Sequence, residues 1–87
     1  KAGVSSMTVL WAQELAQHGI RVAAIAPGFT ATEMVVSLRV DIKEKFTKSI
    51  PLRRFAETSE MSDGALFILK NEYYTGRVLE IDGGARI

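Results

Sequence analysis

The chain contains no cysteine and one histidine, His18. The first absence excludes disulfides and thiolate metal sites. The second leaves too few imidazoles for a histidine-based zinc site, so no metal is expected. A dominant charge is lacking as well. Lys, Arg, Asp and Glu are interspersed and the formal net charge is +1, which argues against a nucleic-acid surface or a polybasic membrane patch. No apolar run approaches the roughly 20 residues of a membrane span. Lys1 is not followed by the continuous apolar region of a signal peptide. Neither nucleic acid nor membrane is an expected partner, and a cytoplasmic protein is expected. With 87 residues there is room for one small domain, near the lower limit of what a single core stabilises.

What is present is dominated by the run Ile20-Arg21-Val22-Ala23-Ala24-Ile25-Ala26-Pro27-Gly28-Phe29-Thr30-Ala31-Thr32. Ile20 to Ala26 reads as a near-continuous apolar strand, as in a parallel sheet covered on both faces. Pro27-Gly28 ends it and opens a loop with two hydroxyls. In open α/β sheets ligands bind outside the carboxyl ends of the strands, so Pro27–Thr32 is the expected ligand floor.

Around this run the periodicity predicts a helix over Ala2–Gln17, with apolar stripes at Val4, Met7, Trp11, Leu15 and at Val9, Ala12, Ala16. A helix apolar on two sides is expected to be buried on two sides, one against a sheet and the other against a partner helix of this chain or of another subunit, with Met7, Trp11 and Leu15 as core or interface. Gly19 falls where a left-handed residue ends a helix. Thr32–Ser49 predicts one or two short amphipathic helices, broken at Ile50-Pro51-Leu52. Thr58–Leu69 predicts another helix, with Thr58, Ser59 and Glu60 at its capped start and Met61, Ala65, Ile68 and Leu69 facing a core. Val78–Ile81 predicts a last strand, closed by a turn at Asp82-Gly83-Gly84. The expected fold class is α/β: two parallel strands with flanking helices. Two strands alone leave an apolar edge unpaired, and the chain begins with Lys. It is therefore read as part of something longer.

The segment at about 32–57, with Phe29, Met34, Val35 and Leu38 following the ligand loop, is expected to act as a lid over a substrate. Ordinary core is the alternative for these residues. Arg53-Arg54 suits either a phosphate or carboxylate group or a salt bridge.

The ordered set Lys1-Ala2-Gly3, a helix, a strand ending in Pro27-Gly28, Thr32, Pro51-Leu52-Arg53-Arg54, a capped helix, and Gly76 followed by Ile81-Asp82-Gly83-Gly84 resembles the short-chain dehydrogenase/reductase family. In particular it is similar to members of the 3-oxoacyl-[acyl-carrier-protein] reductase type. The resemblance covers the last third of such a protein, and implies that residues 1–87 are the C-terminal portion of one doubly wound parallel-sheet domain of Rossmann type that binds NAD(P). It implies an oxidoreductase transferring hydride between NAD or NADP and a carbonyl/alcohol substrate, with a 3-oxoacyl thioester among the candidates, and a homo-oligomeric parent (dimer or tetramer). Lys1 would be catalytic, bonding the nicotinamide ribose and lowering the pKa of a tyrosine. Pro27, Gly28, the Thr30 backbone and the Thr32 hydroxyl would contact the cofactor. Thr32 also suits a helix N-cap.

The departures are equally specific. The family's tyrosine four positions before the lysine is not in this sequence, nor is its upstream serine. Tyr73 and Tyr74 are followed at the required spacing by Arg77 and Val78. No Gly-x-x-x-Gly-x-Gly loop occurs. The 87 residues alone are therefore expected to be inactive. Two other readings stay open: a non-enzymatic subunit-association fragment and an independent small α/β binding module.

Overall fold

The computed structural model describes residues 2–85, without the side chains of Met34 and Val36. Its elements are α1 (Ala2–Leu15), β1 (Ala24–Pro27), α2 (Glu33–Val36), α3 (Val40–Ser49), α4 (Thr58–Lys70) and β2 (Val78–Ile81). The fold is α/β, with β1 and β2 parallel and in register from Ala24 opposite Val78 to Pro27 opposite Ile81. Helix α4 packs on both strands and α1 on β1. The long connection carrying α2 and α3 leaves from the carboxyl end of β1, as the mixed pattern of residues 32–49 predicts.

The strand is shorter than its apolar run. Residues 20–23 are excluded from the ladder because they run beside a turn. Gly76, left-handed at φ 72°, donates its N–H to the Val22 carbonyl at 2.8 Å. The Val22 N–H donates to the Thr75 hydroxyl at 3.0 Å. Regular pairing begins only past that turn.

Helix α1 ends in a 3₁₀ turn, Ala16–His18, closed by Gly19 at φ 72°, the left-handed stop its position predicts. Within the chain, one of its two expected faces is covered. Thr8 and Ala12 are the covered residues, whereas Val4, Met7, Leu10 and Trp11 are each about half exposed. Small side chains bring the helix close to the rest of the chain. The Thr8 hydroxyl is tolerated there because it donates back to the Val4 carbonyl at 2.7 Å. The large apolar stripe points away.

Helix α4 begins at Thr58, as the pattern predicts, but its N-cap is Glu57. The Glu60 carboxylate reaches back to accept the Glu57 N–H at 2.8 Å, and this capping box stands in place of the hydroxyl cap expected from Thr58 or Ser59. Gly64 lies buried where α4 meets Ile81, and Met61, Ala65 and Ile68 are partly covered while Leu69 is exposed. At the other end, Arg21 donates to the Ile68 and Leu69 carbonyls. No helix among the described residues is long and apolar enough to cross a membrane.

Candidate functional site

Parallel pairing ends at Pro27 and Ile81, and the site is built outward from there. The Gly28 N–H donates to the Ile81 carbonyl at 2.8 Å. A β-carbon on Gly28 would lie 2.6 Å from the Asp82 α-carbon, so the two backbones approach as only glycine permits. Asp82 in turn holds the Gly83-Gly84 turn, its Oδ1 accepting the Gly84 N–H at 2.9 Å.

Beyond Gly28 the chain bends tightly. The Thr30 hydroxyl donates to the Gly28 carbonyl at 3.2 Å, and the Thr32 N–H donates to the Thr30 carbonyl at 2.9 Å. The returning end of the long connection lies alongside. Ala56 donates to the Phe29 carbonyl at 2.9 Å, and Ala31 donates to the Ala56 carbonyl at 2.8 Å. Thr30 and Ala56 thereby form a parallel bridge, and the two ends of the connection are joined at a neck. Among the described residues the Thr30 N–H has no backbone acceptor. Thr32 is exposed and begins α2, yet its hydroxyl makes no cap hydrogen bond.

Phe29 turns into the connection, 5.2 Å from the Phe46 ring centroid and 6.2 Å from that of Phe55. These contacts anchor α3 and the returning chain to the ligand loop. Val35 and Leu38 are partly covered further out. Lys1 and the Met34 side chain lie outside what the structure describes. Pro27, Gly28, Thr30 and Thr32 are thus brought together at one sheet edge, with Phe29 beneath the adjoining segment.

Sequence reasoning singled out Arg54 but missed the Ala56 contact with the loop. Arg54 holds Glu60 through both terminal guanidinium nitrogens, at 2.7 and 2.8 Å. The Arg54 hydrogen bond, followed by that from the Glu57 N–H, lowers the Glu60 pKa to about 2. Between this pair and Asp82 lies a cavity of about 90 Å³ that Phe29, Ile50 and Ile81 also line. Of the two roles open for Arg54, the structure displays the salt bridge.

A nicotinamide fits this edge on its chemistry. The Thr30 N–H is an unspent donor for a carboxamide oxygen and the Thr32 hydroxyl a further polar group.

The chain belongs to the short-chain dehydrogenase/reductase family. Residues 1–86 match the family model described as enoyl-(acyl carrier protein) reductase. Among its relatives, acetoacetyl-CoA reductase of Synechocystis sp. is 45% identical over 86 residues, covering 95% of this chain and 36% of the relative. The 3-oxoacyl-[acyl-carrier-protein] reductase FabG of Thermotoga maritima is 46% identical, covering 97% of this chain and 35% of the relative. A crystal structure of 3-oxoacyl-[acyl-carrier protein] reductase from Brucella melitensis superposes with a TM-score of 0.91 at 30% identity, over 99% of this chain and 33% of that one. A small-chain dehydrogenase crystallised with NADPH gives 0.80 at 35% identity, over 97% and 39%. The chain therefore spans about a third of the length of the relatives it matches.

Proposed function

We propose that this chain is the carboxyl-terminal part of an NAD(P)-dependent oxidoreductase that interconverts a carbonyl and an alcohol, with a 3-oxoacyl thioester as substrate. The loop Pro27–Thr32, with its open Thr30 N–H, is the observation that carries the reading. The substrate class is supported by the similar proteins named for acetoacetyl-CoA and 3-oxoacyl-[acyl-carrier-protein] reduction. The cofactor is supported by the NADPH complex of a similar chain.

When bound, the nicotinamide supplies the hydride. Thr30 orients its carboxamide through the backbone N–H, and Thr32 adds a hydroxyl contact to the carboxamide or the pyrophosphate. Pro27 and Gly28 form the floor. Lys1 is assigned by resemblance to the ribose hydroxyls and to lowering the pKa of a tyrosine outside this sequence, which is the proton donor. Residues 32–57 cover the substrate, with Val35, Leu38 and Met34 on the lid and Phe29 at its root. The exposed Val4, Met7, Leu10 and Trp11 stripe serves association in a homo-oligomer. A cytoplasmic location completes the proposal.

The test is a fluorescence titration of NADH and NADPH into the 87-residue chain and into the longer protein, followed by a reduction assay with a 3-oxoacyl thioester. Tight dinucleotide binding and turnover by the longer protein, absent from the 87 residues alone, are expected. A longer protein that binds neither dinucleotide sinks the reading.

A further inference from the structure

We propose that Arg54 and Glu60 are a positioning pair that holds the ligand loop in its binding geometry from outside the site. This rests on the nicotinamide reading above and adds to it a control point distant from the reacting atoms.

The route is short and made of hydrogen bonds. Glu60 sits in the first turn of α4, which packs on both strands and is thus fixed to the sheet. Its carboxylate takes the two Arg54 nitrogens in a fork geometry, which specifies orientation as well as contact. The same carboxylate accepts the Glu57 N–H. Residues 54 and 57 are therefore tied to one group on one rigid helix. Ala56 lies between them, and it is Ala56 that grips the loop by donating to Phe29 and accepting from Ala31. Thr30 is held between those two contacts, so where its N–H points depends on where Ala56 sits.

The surroundings of the pair fit this role better than a purely stabilising one. Its side chains are 54% and 36% exposed, and exposed pairs contribute little to global stability. The neck is also bounded by the small cavity between Arg54, Glu60 and Asp82. The rings of Phe46 and Phe55 join the returning chain to Phe29, and the fork adds the tie from that chain to α4.

The experiment uses the longer protein with Arg54→Met, Glu60→Gln and Arg54→Lys. Glu60→Gln keeps an acceptor for the Glu57 N–H while removing the charge. Amide hydrogen exchange is measured first, without dinucleotide. Arg54→Met and Glu60→Gln are expected to speed exchange at Ala31 and Ala56 about fivefold, the upper range for an exposed pair with fork geometry. The KM for the nicotinamide cofactor is expected to rise by a similar factor while kcat changes far less. Arg54→Lys, which keeps the charge but loses the fork, should fall between. Unchanged exchange at both amides overturns the proposal. Faster exchange with an unchanged cofactor KM, or a loss confined to kcat, overturns the positioning role. Wild-type protein that binds no dinucleotide overturns the functional reading instead, a failure visible before any substitution is made.

Discussion

Arg21 donates a hydrogen bond of 2.7 Å to the carbonyl oxygen of Ile68. The same guanidinium reaches Leu69 at 3.1 Å and Tyr74 at 3.2 Å. A cation at the start of the apolar run thus closes the carboxyl end of α4, where carbonyls lack partners and the dipole is negative. Arg21→Met is expected to destabilise the protein by about 1.5–3 kcal/mol, the range for hydrogen bonds to a charged group. Arg21→Lys should recover less than half, since an ammonium cannot span three carbonyls as a guanidinium does. Urea unfolding of the three proteins checks both values.

Gly28 should admit no side chain. Its missing β-carbon faces the Asp82 backbone, which has no rotamer to change. Gly28→Ala is expected to cost about 1–3 kcal/mol, as overpacking does, and to weaken dinucleotide binding because the loop is displaced with it. Thermal unfolding and a binding titration on the same sample measure the two effects.

Thr32 separates a cap from a ligand contact. Its hydroxyl makes no cap hydrogen bond, so Thr32→Val should change stability by less than about 0.5 kcal/mol. The KM for the dinucleotide should rise about three- to tenfold, the value of one hydrogen bond. A lowered Tm with unchanged KM would assign the hydroxyl to the fold.

The Arg54–Glu60 pair has an acid limit. Glu60 titrates at about 2 in the folded protein, against an ordinary value of 4.5. A depressed carboxylate contributes stability that is fully present above its unfolded pKa and is lost as pH falls through the folded one. The contribution should therefore be constant at neutral pH and fade between about 4.5 and 2. Denaturation curves of wild type and Glu60→Gln should converge across that window.

Much of the architecture was legible because it is local. The α/β order, the helical pair after Thr32, the stop at Gly19 and the turn at Asp82-Gly83-Gly84 each follow from residues within a few positions of one another. The loop after β1 was legible for the same reason, since Pro27-Gly28 announces a strand end. What escaped depends on distant partners. The first residues of the apolar run look like strand, but Thr75 and Gly76 decide that they pair with a turn. Met7 and Trp11 read equally as core or interface, and only the folded chain shows that α1 approaches through Thr8 and Ala12. Glu57 displaces Thr58 as the cap because Glu60 can reach back. Ala56 carries no polar side chain, and no pattern in the sequence marks it as the grip on Thr30.

The bridge between Thr30 and Ala56 has an evolutionary consequence. A connection whose two ends are fastened to each other behaves as a cassette: residues inserted, deleted or exchanged beyond the fastening leave the paired strands undisturbed. Under the proposed lid role of this connection, grafting a different cassette between those two points is a route to new substrate preference on an unchanged chassis.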